Sequence, residues 1–277
     1  AIEFKNIGIE PIILDTRSNP KSEIVDEAKN LGINIKFSHV VVAANGYKKV
    51  NSAQIAQISA NKKDLGIIEK INCDCICVSG FWTPSFHLSS QSGNKTKFDE
   101  KIDAFVPGKS KQNETTVGSA NGIFNLEETI NTSFEKGYEL SKKITNKDNK
   151  VSIPQVSEKN YTSHDKFWCV PLPDKKNYKR FLDFQNDVTV SDIELALREG
   201  YRSIEHVKRY TTLGMATDQG KTSNLNGLQL VSDVENKIVP SVGHTTFRPP
   251  YTPVSIGAIV GREVGKHSKP TRKSPMH

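Results

Sequence analysis

The sequence predicts an α/β fold that gives way to a small all-α helix-turn-helix module and then to an extended C-terminal segment. Three patterns predict it. A strand, an acidic residue and a helix follow one another near the start; alternating apolar runs form a β-meander from Ile33 to Ser79; and two amphipathic helical periods parted by a glycine lie between Arg180 and Asn224. With 277 residues the chain exceeds what a single core usually organises, so several units are expected, some of them incomplete.

At the start, AIEFKNIG reads as the last turns of a helix stopped by Gly8, and Glu10 to Leu14 as a short strand ending at Asp15. Ser18 or Asn19 can cap the following helix, with Pro20 in its first turn and Gly32 at its end. In a dinucleotide-binding βαβ unit, a carboxylate at the tip of the second strand accepts hydrogen bonds from ribose hydroxyls. Asp15 stands at that position with Arg17 close behind, so both are candidates for NAD contact; a turn or cap role for Asp15 is the alternative. The glycine-rich half of such a unit would precede Ala1. Together with the abrupt ending at Pro275-Met276-His277, this predicts a piece of a longer polypeptide.

The meander comprises INIKF, VVVAA, a hairpin turn at Asn45-Gly46, VNSAQIAQI, a polar turn at Asn61 to Asp64, and IIEKINCDCICVSG. Cys73, Cys75 and Cys77 would share one face of the last strand, too close together to surround a tetrahedral ion. The segment CDCICVSG is read as a buried strand with Cys as a small hydrophobe rather than a metal or redox ligand; Cys169 is the fourth cysteine. Gly80 lies in a strand-exit segment, Ser79 to Pro84. Gly118 and Gly122 precede a helix expected from about Asn125 to Lys142, whose N-terminus can face a pyrophosphate unless the glycines only shape a turn. Residues 146–175, with Asn, Lys, Ser and scattered Pro, read as a linker anchored by Phe167 and Trp168.

In the helical module, Thr189 can cap a helix with Val190, Ile193, Leu195 and Leu197 on its apolar side, and Gly200 ends it. Ser203 starts a second helix with Ile204 and Val207 inward and Glu205, Lys208 and Arg209 outward, closing at Gly214. The turn Thr217-Asp218-Gln219-Gly220-Lys221 then offers backbone N–H groups and an ammonium to an anion. Beyond it, Val239 to Gly261 is rich in Pro and Gly around Phe247-Arg248-Pro249-Pro250-Tyr251 and reads as extended.

The formal charge of +7 is carried largely by Lys142-Lys143, Lys175-Lys176 and Lys266 to Lys273, not by a basic and aromatic stripe on one helix. Nucleic acid is therefore not expected as a partner; a solvated face, or a surface that meets an acidic partner subunit, is the expectation. No stretch approaches the roughly 20 apolar residues that span a bilayer, and no signal peptide opens the chain, so a cytoplasmic, membrane-free protein is expected. The seven histidines are scattered without ligand spacing, and neither GxSxG nor HExxH occurs. No catalytic residue and no metal site is expected, and His206 reads as a surface or interface residue.

The block from Arg180 to Asn224 resembles the module, related to bacterioferritin-associated ferredoxin, in the alpha subunit of heterotetrameric sarcosine oxidase. Cluster-bearing relatives carry C-x-C before the first helix and a cysteine on each side of the turn after the second. The matching positions here are Asp183, Gln185, Asp218 and Ser223, and no Cys lies between Val170 and His277, so no iron–sulfur cluster is expected. Residues 79–84 and the segment from Phe105 to Leu140 resemble nucleotide domains of the disulfide-oxidoreductase type, and the C-terminal passage with KPTRKSPMH resembles the entry to a folate-binding domain of the aminomethyltransferase type.

The resemblance implies a partial two-dinucleotide-binding fold in which residues 1–80 belong to an NAD domain, 81–145 return to the first nucleotide domain, and 146–175 link onward. Residues 176–235 would form the cluster-less helical module, and 236–277 would lead into the folate domain. The activity implied is oxidation of sarcosine with oxygen to glycine and hydrogen peroxide, with the one-carbon unit passed to tetrahydrofolate. Amine oxidation would occur on a flavin-carrying beta subunit, with two small subunits completing the heterotetramer. This chain would bind NAD through Asp15, Arg17, Gly80, Gly118 and Gly122. It would contact an FMN shared with the beta subunit through Thr217, Asp218, Gln219, Gly220, Lys221, Ser223 and Asn224, although Asp218 and Ser223 could instead only cap helices. The alternative classes are the alpha subunit of a related amine, proline or opine dehydrogenase and an iron–sulfur electron-transfer protein; the missing cysteines weigh against the second.

Overall fold

The computed structural model describes residues 1–80, 82–148, 152–156, 166–173, 178–268 and 274–276, so the expectations for Phe81, for Lys175-Lys176, for parts of the linker and for most of KPTRKSPMH lie outside the described residues. The fold is mixed α/β. Helix α1 (Ile2–Asn6) is followed by Gly8, whose φ of 87° supplies the left-handed stop. Strand β1 (Ile12–Asp15) pairs in parallel with β2 (Asn34–Phe37), Ile13 opposite Ile35, and helix α2 (Glu23–Asn30) makes the crossover. The cap of α2 is Ser22, whose hydroxyl accepts from the Val25 N–H, and not Ser18 or Asn19. Starting there places Glu23 and Asp26 in the first turn, where the helix dipole favours carboxylates, and leaves Pro20 ahead of the helix.

Strands β3 (His39–Gly46), β4 (Val50–Ile58) and β5 (Leu65–Asn72) form an antiparallel meander. The hairpin connection lies at residues 47–49, beyond the Asn45-Gly46 pair, because β3 continues through Gly46 and a Cβ there would overlap the Lys49 carbonyl. The last strand also ends early, at Asn72 rather than Ser79. Residues 73–80 have no regular structure; Cys75 and Cys77 are exposed, with their Sγ atoms 3.8 Å apart. β5 is an edge strand hydrogen-bonded only to β4, and no other described strand supplies the ladder partner that would carry the cysteines into a sheet interior. The reading of Cys75 and Cys77 as buried hydrophobes is corrected accordingly.

Helix α3 (His87–Gln91) and the hairpin β6 (Thr96–Asp99)–β7 (Ala104–Pro107) come next, then a short 3-10 turn at Gly118–Asn121 and helix α4 (Leu126–Thr145). The Asn125 side chain caps α4 by accepting from the Glu128 N–H at 2.8 Å. Hairpin β8 (Phe181–Asp183)–β9 (Val188–Thr189) leads into α5 (Val190–Arg198), α6 (Ile204–Thr211) and α7 (Asn224–Glu235). Thr189 and Asp192 form a capping box at the start of α5. The C-terminal passage is not wholly extended, since α8 (Val239–Val242) and α9 (Ile256–Val260) interrupt it. No helix among the described residues is long and apolar enough to cross a membrane.

The main core gathers around the helical module. Val190, Ile193, Ala196 and Leu197 are the buried residues of α5, with Ala196 rather than the half-buried Leu195 completing the apolar face. Ile193, Ala196 and Leu197 meet Ile204 and Val207 of α6, Leu213, and Leu228 and Val231 of α7, and the same cluster takes in Phe86, Phe105 and Phe247 from outside the module. A smaller cluster on the meander, Val40, Val42, Ala56 and Ile58, is covered by Phe167, Val170 and Tyr178, which ties the linker to the sheet. Ile193 is fully buried at the centre of the larger cluster. Ile193→Ala should lower stability by about 2–5 kcal/mol, read as a lower denaturant midpoint with an unchanged m-value.

Candidate functional site

Asp183, at the end of β8, is 3% exposed. Its Oδ1 accepts from the N–H groups of Gln185 at 2.9 Å and Asn186 at 3.3 Å, and its Oδ2 accepts from the Gly214 N–H at 2.9 Å. One carboxylate thereby joins the β8–β9 turn to the residues after α6 through charge-assisted hydrogen bonds. The two loops meet again where the Thr217 hydroxyl donates to the Gln185 side-chain carbonyl at 2.9 Å. Asp218 accepts from the Gly220 N–H at 3.0 Å and the Thr222 hydroxyl at 2.9 Å, which closes the turn that precedes α7. At the start of α7 the Asn224 amide donates to the Gln219 carbonyl at 3.2 Å. Its Oδ1 fits between Gly214 and Gly220, both at positive φ, and a Cβ on either glycine would overlap it.

The four positions matched to cluster ligands thus carry carboxylate, amide and hydroxyl oxygens, and both carboxylates are engaged by backbone N–H groups. This donor set does not fit an iron–sulfur cluster, which is held by thiolates. Among the described residues no three His, Cys, Asp or Glu side chains gather as ligands for a metal ion.

Lys221 reaches the C-terminal passage. Its Nζ donates to the Tyr251 carbonyl at 2.8 Å and lies 4.1 Å from the centre of the Tyr251 ring, a cation–π arrangement. Gln219 Nε2 donates to the Pro250 carbonyl, and the Tyr251 hydroxyl shares a hydrogen bond of 3.0 Å with Ser85 Oγ. Residues 250–251 therefore strap the turn 217–221 to the segment ahead of α3. Beneath the strap lies a small cleft of about 40 Å³, partly open to solvent, with Phe86, Phe105, Leu228 and Phe247 in its walls and His87, Lys221, Asn224 and Thr245 among its polar lining residues. The His87 ring packs on Phe247 with centroids 3.7 Å apart. Burial, followed by the charge of Lys221, pushes the His87 imidazole down to about 4 against the pull of Asp218.

The structure brings Thr217 to Asn224 together with Asp183 and Gln185. The other candidates lie elsewhere. Asp15, at the tip of β1, is forked by Arg17, whose Nε and Nη2 donate to Oδ1 and Oδ2 at 3.0 and 2.7 Å. Burial works to raise the Asp15 pKa, but the hydrogen bonds and charge of Arg17 outweigh it and hold the carboxyl below its usual range. Gly80 is exposed in the irregular segment after Cys73. Gly118 begins the 3-10 turn, and Gly122 packs so closely under the β6–β7 hairpin that a Cβ would come within 2.7 Å of Ile102 Cδ1. Glu127 and Glu128 occupy the first turn of α4, where their charges oppose a pyrophosphate. His206 is exposed. His87, Thr245 and Tyr251 were absent from the candidates, and little in the sequence marks them: Ser85 and Tyr251 are 166 positions apart.

Gly220→Ala should cost about 2 kcal/mol or more, since it combines a left-handed backbone with overlap on Asn224; thermal unfolding of the variant checks this. His87 gives a second expectation. The unfolded imidazole takes up its proton near pH 6.5 and the folded one only near 4, so stability should fall as pH is lowered through that window. His87→Phe keeps a ring in place and should flatten that part of the profile in denaturation curves from pH 4 to 7.

Residues 177–262 match the family described as Sarcosine oxidase A3 domain. The chain is 38% identical over 214 residues to the sarcosine oxidase subunit alpha of Rhizobium meliloti (strain 1021), covering 76% of this chain and 21% of that protein. It is 32% identical over 272 residues to the subunit alpha of Corynebacterium sp. (strain P-1), covering 96% of this chain and 28% of the relative. The chain thus spans about a quarter of the length of these relatives. In fold it is similar to L-proline dehydrogenase from P. horikoshii, with a TM-score of 0.54 at 18% identity over 94% of this chain and 52% of that one. Matched along nearly its whole length, the chain belongs to the sarcosine oxidase alpha-subunit family.

Proposed function

We propose that this chain serves, within a larger alpha subunit, as a cofactor-shaping part of a multisubunit sarcosine oxidase that converts sarcosine and oxygen to glycine and hydrogen peroxide and passes the one-carbon unit to tetrahydrofolate. Amine oxidation falls to a flavin-carrying beta subunit, two small subunits complete the heterotetramer, and the setting is cytoplasmic. The observation that carries this reading is the state of Lys221. Its ammonium is held by a carbonyl and an aromatic face, and no carboxylate among the described residues pairs with it. A cation oriented in this way retains an N–H and most of its charge for an anionic group such as the FMN phosphate.

In this reading Thr217, Asp218, Gln219, Gly220, Ser223 and Asn224 shape the wall that Lys221 stands in, and their polar groups replace sulfur chemistry with hydrogen bonding. FMN would supply electron acceptance when bound; the chain's own part is to fix the phosphate and exclude water. NAD contact is assigned to Asp15 and Arg17, with Gly80 and Gly118 allowing close backbone approach, whereas the space beside Gly122 is taken by Ile102 and Val106. For a ribose to reach Asp15, the Arg17 fork must open or share the carboxylate, which makes that contact the weaker of the two electrostatically.

In the assembled complex, Lys221→Ala should lower FMN content and the rate of flavin reduction, with phosphate affinity reduced about tenfold or more on loss of a charge-assisted hydrogen bond. Lys221→Arg should retain most of both. Unchanged flavin content and reduction rate in Lys221→Ala would remove the reading.

A further inference from the structure

Cys75 and Cys77 leave the meander as exposed free thiols with their Sγ atoms 3.8 Å apart. The early end of β5 produces this. The Cys73 N–H still donates to the Asn51 carbonyl at 3.2 Å, so Cys73, half-buried, is held at the end of the sheet. From Asp74 onward the backbone belongs to no ladder. Cα atoms two residues apart on a strand lie about 6.5–6.8 Å from each other, the outer limit of what a disulfide spans. A backbone released from its ladder can close to the usual separation of about 5.5–6 Å.

Two facing thiols with no further ligands support redox chemistry better than metal binding. Among the described residues no group of three His, Cys, Asp or Glu side chains could hold a metal ion, whereas a disulfide needs the two sulfurs alone. The hydrogen bond and charge of Cys77 push the Cys75 thiol above its ordinary value, with burial, Asp74 and Cys73 adding to the effect. Cys75 therefore keeps its proton at neutral pH, and the reduced pair is one in which either sulfur, once oxidised, has a resolving thiol in contact with it.

We propose that Cys75 and Cys77 are a reversible redox site whose oxidant is hydrogen peroxide. One thiolate attacks a peroxide oxygen and the O–O bond breaks. The sulfur becomes a sulfenic acid, and the hydroxide that leaves takes the proton the thiol gave up, forming water. The second sulfur displaces the sulfenic hydroxyl, which departs with that thiol's proton as a second water, and the S–S bond closes. Two thiols are oxidised and one peroxide is reduced, and an external dithiol reverses the step through a mixed disulfide. The site rests on the oxidase reading only for the source of its peroxide.

The test is made on the assembled complex. Peroxide is added, free thiols are alkylated under native conditions, and the tryptic peptide Ile71 to Lys95, which carries Cys73, Cys75 and Cys77, is weighed. That peptide should lose two hydrogens together with the alkylation of Cys75 and Cys77, and dithiothreitol should restore both. Cys73→Ser should leave the loss intact. Cys75→Ser and Cys77→Ser should each abolish it and leave a sulfenic acid that dimedone labels, with circular dichroism unchanged because both side chains are exposed. The proposal is overturned if neither thiol is alkylated in the untreated complex, if peroxide leaves both alkylatable, or if peroxide carries them irreversibly to sulfinic or sulfonic acid. It is also overturned if Cys73→Ser abolishes the disulfide, which would assign it to the sulfur at the sheet end. Because the peroxide is added, none of these failures touches the oxidase reading. A disulfide formed with added peroxide but not during sarcosine turnover upholds the site and counts against that reading instead.

Discussion

The helical part of this chain hangs on one buried carboxylate. Asp183 receives three backbone N–H groups from two loops, and it holds the entrance of α5 against the exit of α6. An ionised group at 3% exposure is tolerable only with such donors, because an unpaired charge at that depth costs several kcal/mol. The consequences pass from residue to residue. Gly214, held by Asp183, must lack a side chain because Asn224 leans on it, and Gly220 meets the same requirement from the other side. With Asn224 fixed, the turn 217–221 can take only a narrow set of shapes, and Lys221 is directed at Tyr251.

The core follows the same logic at larger scale. The cluster around Ile193 and Val207 is completed by Phe86, Phe105 and Phe247, so the helices are not packed on themselves alone. The candidate site lies where these separate stretches of chain join, which is why its polar lining mixes residues from the α3 region, α7 and the C-terminal passage. A seam of this kind combines rigid apolar walls with polar groups drawn from elements that have no reason to satisfy one another, and ligand sites commonly arise at such junctions.

What could be read beforehand was local. The helices of the module were legible because Thr189, Ser203 and Gly200 mark their ends and Val190, Ile193, Ile204 and Val207 keep helical spacing. The Asp183, Gln185, Asp218 and Ser223 set was legible as positions, but not the fact that both acids serve backbone amides. Errors came where a partner decides the outcome. Cys75 and Cys77 alternate as a strand should, yet a strand needs a neighbour to pair with, and among the described residues β5 has none on its outer edge. Ser22 displaced Ser18 and Asn19 as a cap because several nearby residues can serve and tertiary context chooses. His87 was invisible because its significance lies in contacts with Phe247 and Tyr251, far along the chain.

Tyr251 uses three different parts of itself: the hydroxyl on Ser85, the carbonyl on the Lys221 ammonium and the ring beneath that same ammonium. A latch of this sort makes the geometry of the lysine depend on sequence that lies well past the last helix of the module. Excision at residue 235 would take Val239 and Phe247 out of the core as well as release the strap, turning an aimed cation into a solvated tether. The unit that matters for grafting or recombination therefore extends through Tyr251, and it must bring Ser85 with it.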